Sequence, residues 1–258
     1  MRRVLVTGAG GQLGLTFQET ADDFPEITFD FKTSEELDVS NANQVLATFQ
    51  NGNYDYCINC AAYTNVEQAE NHPEKAFEIN ADGARNIANA CKKNKVTLVQ
   101  ISTDYVFDGE KETAYEVGDD TNPINVYGRS KLEGEKLIRE ILPNHFIIRT
   151  SWLYSKKHGH NFYRTILRNA QAGEELRITD AQRGCPTNTE NLVKFILLQM
   201  VLGNKSFGIY HFTDGKPMTW YDFAKQILEE NGLSDKAKLV LDANYRTLAK
   251  RPKNSVLS

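Results

Sequence analysis

The stretch that most limits what this chain can become is "RVLVTGAGGQLGLTFQET", residues 3 to 20: an apolar run, four glycines within seven residues, then a helical pattern. An apolar strand that turns sharply into a helix belongs to an α/β unit, and the pattern repeats. "ITFDF" (27 to 31), "DYCINCAAY" (55 to 63), "VTLVQIS" (96 to 102) and "HFIIRTSWLY" (145 to 154) read as further strands, with the helix "PEKAFEINADGARNIANACKKN" (73 to 94) opened by a proline. Strands this uniformly apolar are buried on both faces, which predicts a Rossmann-type doubly wound parallel sheet. After residue 154 the regularity loosens. "NFYRTILRNAQAG" and "NTENLVKFILLQMVLG" read as helices, "LRIT" and "GIYHFT" as short strands. "TWYDFAKQILEENG" reads as a helix with Thr219 or Asp222 near its start and Gly232 as its stop. The expected organisation is a dinucleotide-type domain over 1–154 and a smaller α/β substrate lobe over 155–258, with segments interleaved into the first.

Composition narrows the function. With 40% hydrophobic residues, 25% charged and a net charge of −4, the chain offers no general attraction for nucleic acid or anionic membrane, so neither is an expected partner. No apolar run approaches the roughly 20 residues that span a bilayer. "MRRVLVTGAGG" is too short in its apolar part for a signal segment, and four cysteines fit a reduced, cytoplasmic setting. Cys57 and Cys60 form C-x-x-C, but on a strand their side chains face opposite ways about 10 Å apart, beyond the roughly 7 Å a disulfide allows. Buried thiols are expected, with Cys91 and Cys185 unpaired as well. His158 and His160 have no third ligand in view, so they read as a solvated loop and no metal-ligating residues are assigned.

Three groups of residues carry chemistry. "TGAGGQLG" (7 to 14) spaces Gly8, Gly11 and Gly14 as G-x-x-G-x-x-G at a strand-to-helix turn, where backbone N–H groups and the helix end would meet a pyrophosphate. It lacks the Lys-Ser/Thr of a P-loop. Asp30, about 20 residues on, can bond an adenosine ribose, whereas Lys32 beside it suits a 2′-phosphate; NAD and NADP both stay open. "STDYVFDG" (102 to 109) places Ser102, Thr103 and Asp104 at the carboxyl end of a strand, where open α/β sheets bind ligands, although the same residues also make ordinary turns. "NVYGRSKLEGEK" (125 to 136) sets Tyr127 and Lys131 one helical turn apart. That is either a commonplace i, i+4 neighbour pair or a phenol whose pKa of about 10 an ammonium draws toward neutrality, ready to give or take a proton.

Taken together, G-x-x-G-x-x-G, S-T-D and Y-x-x-x-K resemble the extended short-chain dehydrogenase/reductases. "LDVSN", "NCAAYTNVEQAE", "RTSWLY", "DAQRGCPT", "TWYDFA" and "RPKNS" narrow the resemblance to the dTDP-4-dehydrorhamnose reductase family over almost the whole chain. The resemblance implies NADPH- or NADH-dependent reduction of the C4 keto group of a nucleotide sugar by a monomer or homodimer. Tyr127 would give the proton, Thr103 would bond the same oxygen, and Lys131 would hold the nicotinamide ribose and lower the tyrosine pKa. Cofactor contacts carry over to Gly8, Gly11, Gln12, Leu13 and Asp30, to Asp38 and Val39 at the adenine, and to Ala61, Ala62, Tyr63 and Thr64. Substrate contacts carry over to Thr103, Asp104, Trp152 and Arg183, the last as a diphosphate partner. The family usually continues past "RPKNSVLS" with one more helix, so the resemblance implies a shortened chain. Two alternatives share these motifs: a non-catalytic NADP-binding subunit like methionine adenosyltransferase β, and a reductase or epimerase of another nucleotide sugar.

Overall fold

The computed structural model describes residues 1–258. β1 (Arg2–Thr7) passes through the glycines into α1 (Gln12–Thr20), and β2 (Ile27–Lys32) leads to α2 (Ala42–Gly52). The Asn41 side chain accepts the Gln44 N–H at the start of α2, and Asn53 ends that helix in the left-handed region at φ 48°. β3 (Tyr56–Asn59) is followed by α3 (Val66–Asn71), α4 (Pro73–Phe77) and α5 (Gly83–Asn94), then β4 (Thr97–Thr103), α6 (Val126–Ile141) and β5 (His145–Thr150). The later part holds β6 (Leu153–Tyr154), α7 (Phe162–Gln171), β7 (Leu176–Ile178), β8 (Arg183–Gly184), β9 (Thr187–Asn188), α8 (Thr189–Phe195), β10 (Gly208–His211), β11 (Met218–Thr219), α9 (Trp220–Glu230) and β12 (Leu239–Leu241). No helix is long and apolar enough to cross a membrane.

Six strands form one sheet in the order β2-β1-β3-β4-β5-β10, every neighbouring pair parallel. Alternation along the strands then dictates two cores. Val4, Val6, Ile58, Val99, Phe146 and Ile148 face Leu13 and Phe17 of α1 and Leu192 and Val193 of α8. Leu5, Cys57, Leu98 and Ile147 face Val45 and Phe49 of α2, Ile87 and Cys91 of α5 and Ile138 of α6. Each such Leu, Ile or Phe side chain contributes about 1.5–3 kcal/mol on burial, so the sheet is held from both sides. A third core joins Tyr163, Ile166 and Ala170 of α7 to Phe223, Ala224 and Ile227 of α9, and this makes the lobe. Its strands are only two or three residues long.

Several expectations change in detail. The stretch 55–63 is a strand only to Asn59, where the side chain joins a buried hydrogen-bond chain and the backbone leaves the ladder. The run 145–154 splits at Trp152, whose φ of 47° breaks the extended chain, so β6 pairs with β9 rather than with the main sheet. The helix 73–94 contains a π-helical turn at Glu78–Asp82. "GIYHFT" supplies β10, an edge strand of the main sheet. All four cysteines are free, Cys57 lying in one core and Cys60 against the other.

Candidate active site

The carboxyl ends of β1, β3, β4 and β5 open into one cleft of about 550 Å³ roofed by the lobe. At its first corner the glycines do three different jobs. Gly8 sits at φ +63°, and a Cβ there would come within 2.6 Å of the Ala61 nitrogen; one on Gly14 would lie 2.5 Å from Ala9 Cα. Gly11 caps α1 with no side chain over the helix end, leaving the first-turn N–H groups of the helix without a side-chain partner. Bare N–H groups at a helix N-terminus suit an anion, and a side chain at Gly8 would close the approach. Gln12 Nε2 donates to the Leu153 carbonyl at 3.1 Å, and Asn161 Nδ2 donates to Gln12 Oε1 at 3.2 Å, so the segment before α7 is laid across this turn.

The second corner joins β4 to α6. Thr103 ends β4, and its Oγ1 accepts the Tyr105 N–H at 3.1 Å, capping the short turn Asp104–Val106. The Asn125 side chain accepts the Gly128 N–H at 2.7 Å and starts α6. A Cβ on Gly128 would stand 2.1 Å from the Tyr105 carbonyl oxygen, and one on Gly134 2.2 Å from that of Asn80. Only glycine lets α6 settle this close, and the result brings the Tyr127 phenol beside the Thr103 hydroxyl at the cleft, with the Tyr127 ring edge-on to Tyr105 at 5.9 Å.

Lys131 follows one turn later, 5% exposed, its Nζ donating to the Ile101 carbonyl at 2.7 Å. Burial pulls its pKa down to about 8 against the opposing charge of Glu135. The expected depression of the tyrosine pKa is not what this arrangement gives. Burial pushes the Tyr127 phenol up, the Thr103 hydroxyl only partly offsets it, and Asp104 and Tyr105 add to the rise. The lysine charge is directed at a carbonyl instead of at the phenol, so desolvation decides.

Two buried networks hold the strand ends in register. Thr7 Oγ1 donates to Asn59 Oδ1 (2.5 Å), Asn59 Nδ2 to Gln100 Oε1 (2.8 Å) and Gln100 Nε2 to the Ile101 carbonyl (3.0 Å), ending on the oxygen that Lys131 also uses. Behind α6, Arg149 Nη2 donates to Glu135 Oε2 at 2.8 Å, and the Ser102 hydroxyl donates to Oε1 at 2.5 Å. On the lobe side, Trp152 and Trp220 stack with centroids 3.5 Å apart and planes 6° off parallel. Gly184 makes room for this, since a Cβ there would meet the Trp152 ring at 2.6 Å. Arg251 reaches the cleft from the carboxyl end of the chain, its Nη1 on the Tyr105 hydroxyl at 3.0 Å and its Nη2 on Glu67 Oε1 at 2.6 Å.

A family model described as the RmlD substrate binding domain matches residues 1–258. The chain belongs to that family. A relative named dTDP-4-dehydrorhamnose reductase from Aggregatibacter actinomycetemcomitans is 36% identical and covers 100% of this chain and 90% of its own length. A relative from Streptomyces niveus named dTDP-4-keto-6-deoxy-D-glucose reductase is 37% identical over 86% of this chain and 76% of its own. The crystal structure of dTDP-4-dehydrorhamnose reductase from Bacillus anthracis in complex with NADP superposes with a TM-score of 0.93 at 37% identity, covering 100% of this chain and 91% of that one.

Of the residues to which the resemblance assigns a site role, Gly8, Gly11, Gln12, Leu13, Ala61, Ala62, Thr64, Thr103, Asp104, Tyr127, Lys131 and Trp152 line this cleft. Five of that set lie outside its lining. Asp30 accepts from the Tyr54 hydroxyl and is 3.1 Å from Lys32 Nζ, two residues short of the strand end, so its carboxylate is spent on the face of the sheet that α2 covers. Val39 is buried in the core under Gly83, and Asp38 holds the Ser40 N–H at 2.9 Å. Tyr63 packs beside Ala69, Ala76 and Val126 while its backbone is clamped by Asn80. Arg183 is exposed and serves the β8–β11 pairing through its backbone. The guanidinium that lines the cleft is that of Arg251. Sequence reasoning missed Arg251 and also Asn161, Phe162 and Trp220; for Trp220, the aromatic opening of "TWYDFA" was the available signal.

Proposed function

We propose that this chain reduces the C4 keto group of dTDP-4-dehydro-L-rhamnose to dTDP-L-rhamnose with NADPH or NADH. The observation that carries the reading is the meeting of Thr103, Tyr127 and Lys131 on the floor of a cleft continuous with the bare helix end at Gly11. The names of the full-length relatives support the substrate, and the NADP complex of the Bacillus anthracis enzyme supports the cofactor.

The residues present fit a dinucleotide. Gly8 and Gly14 have no room for a side chain, and the turn between them opens toward Ala61, Ala62 and Thr64. Gly11, Gln12 and Leu13 would hold the pyrophosphate, and Lys131 the nicotinamide ribose. When bound, the cofactor supplies a hydride to the carbonyl carbon. The chain's own contribution is the proton: a phenol held above its ordinary pKa is protonated at neutral pH, which is the form a reduction needs. Thr103 would fix the same oxygen. The stacked indoles and Arg251 at the lobe side suit the ring and diphosphate of a nucleotide sugar. Residues 155–258 thus serve mainly as substrate lobe over the 1–154 domain, while α8 and β10 finish the first layer. Four unbridged thiols suit a cytoplasmic enzyme.

Purified protein given dTDP-4-dehydro-L-rhamnose and NADPH is expected to oxidise the cofactor stoichiometrically, with dTDP-L-rhamnose identified by NMR. The Streptomyces niveus relative favours one second reading, reduction of another dTDP-4-keto-6-deoxy sugar. The same NMR experiment with both keto-sugars decides between them, and cofactor binding without turnover of either refutes the enzyme reading.

A further inference from the structure

Asp104 is 2% exposed at the point where β4 ends, and all its side-chain partners are neutral hydroxyls. Thr103 Oγ1 donates to its Oδ1 at 3.0 Å and Ser151 Oγ donates to its Oδ2 at 3.1 Å, while the nearby Ser255 hydroxyl also favours the carboxylate. The titratable groups facing it are Tyr105 in its own turn, Tyr127 from α6 and Cys185 from the segment after β8, all of them neutral acids. Glu135, equally buried behind the same strand, has Arg149 against it in a two-pronged ion pair. Asp104 has no such cation. Burial therefore drives its pKa up to about 6, with the hydroxyls of Ser255, Thr103 and Ser151 holding it back.

A threonine hydroxyl has one proton to give. While Asp104 is ionised it can only accept, so the Thr103 proton is committed to it, and the Tyr105 N–H fills a lone pair on the other side. In that state the Thr103 proton is withheld from a carbonyl beside Tyr127, and the partial hold this hydroxyl has on the phenol is withdrawn with it. A neutral Asp104 carries its own O–H and can donate to Thr103, which frees the threonine proton to point into the cleft. We infer that Asp104 is a positioning residue whose protonation state sets the direction in which the Thr103 hydroxyl donates, toward the reacting oxygen when neutral and away from it when ionised. This rests on the reading of Thr103 and Tyr127 as the pair that serves the carbonyl oxygen, and it goes beyond any contact of Asp104 with the sugar.

The sign follows. Asp104 is neutral below about pH 6, so kcat falls as pH rises through that value, by roughly tenfold for one lost hydrogen bond to the developing alkoxide. Asp104→Asn keeps the shape and puts an amide donor on Thr103 at every pH, so the limb disappears from its profile. Ser151→Ala removes a donor that favours the carboxylate, so the limb moves to higher pH. Both variants are checked for NADPH binding to show that they fold. A limb that persists in Asp104→Asn, moves downward in Ser151→Ala, or is missing from the unmodified enzyme overturns the inference while leaving the reductase reading intact. If no keto-sugar is reduced, the proposed function fails instead, and the inference is still tested. Carbon-13 aspartate NMR of the NADP-bound protein, assigned by difference with Asp104→Asn, must show one carboxyl titrating near 6, and ordinary titration near 4 sinks it.

Discussion

The floor of the cleft and its roof are built on different terms. The floor is the edge of a six-stranded parallel sheet packed on both faces, its strand ends tied by the Thr7–Asn59–Gln100 chain and the Glu135–Arg149 pair. The roof is a lobe of two helices and two- to three-residue strands around a small core, with two indoles lying flat on each other at its inner surface. On the proposed reading, chemistry that tolerates little displacement falls to the floor, and recognition of a large ligand to the part with the thinner core. The lesson is a division of kinetic labour: floor substitutions should act on kcat, and roof substitutions on KM.

The largest effect should come from Tyr127→Phe, which removes the proposed proton donor and leaves the cleft its shape. We expect kcat to fall roughly a hundred- to ten-thousandfold with little change in KM, measured by cofactor oxidation. Gly128→Ala comes next, since its methyl cannot share space with the Tyr105 carbonyl. Overpacking should cost about 1–3 kcal/mol in a urea titration, and kcat should fall further than that loss explains. On the roof, Trp220→Ala should raise KM for the nucleotide sugar about tenfold while NADPH affinity, read by fluorescence titration, stays put. An equal loss in both would break the division. Lys131 gives a milder test: its pKa lies near 8 and is depressed, so it is charged below that pH and neutral above, and activity should decline as pH rises through about 8. That limb should survive in Asp104→Asn. The smallest effect is expected at Asp30→Asn, which should change the Kd for NADPH less than about threefold because the carboxylate is engaged by Tyr54 and Lys32.

Much of the floor was legible in the sequence because parallel strands buried on both faces leave nearly continuous apolar runs, and because an i, i+4 pair declares its shared face once the helix is known. Gly8 and Gly14 were legible for the same reason, as turn and close-contact residues between strand and helix. The end of β2 was not. Periodicity marks a strand without marking where its ladder stops, and the register of Thr7 against Lys32 moves the edge two residues beyond Asp30. It is the Lys32 carbonyl that meets the glycine turn, accepting the Ala9 N–H at 2.9 Å. Arg251 was illegible because nothing local announces that a carboxyl-terminal segment folds back on Tyr105 and Glu67. The tyrosine pKa was misjudged because spacing brings the ammonium near but says nothing of the Ile101 carbonyl that takes its proton bond.

The π-helical turn at Glu78–Asp82 has a consequence for how this chain can change over time. Its widened loop aims one asparagine, Asn80, so that Oδ1 accepts the Tyr63 N–H while Nδ2 donates both to the Tyr63 carbonyl and to Ser130 of α6. Losing a single residue there would restore ordinary helical winding and swing Asn80 by about 100°. Both partners would then lose their brace at once, so this helix, unlike a surface loop, has no freedom to shorten.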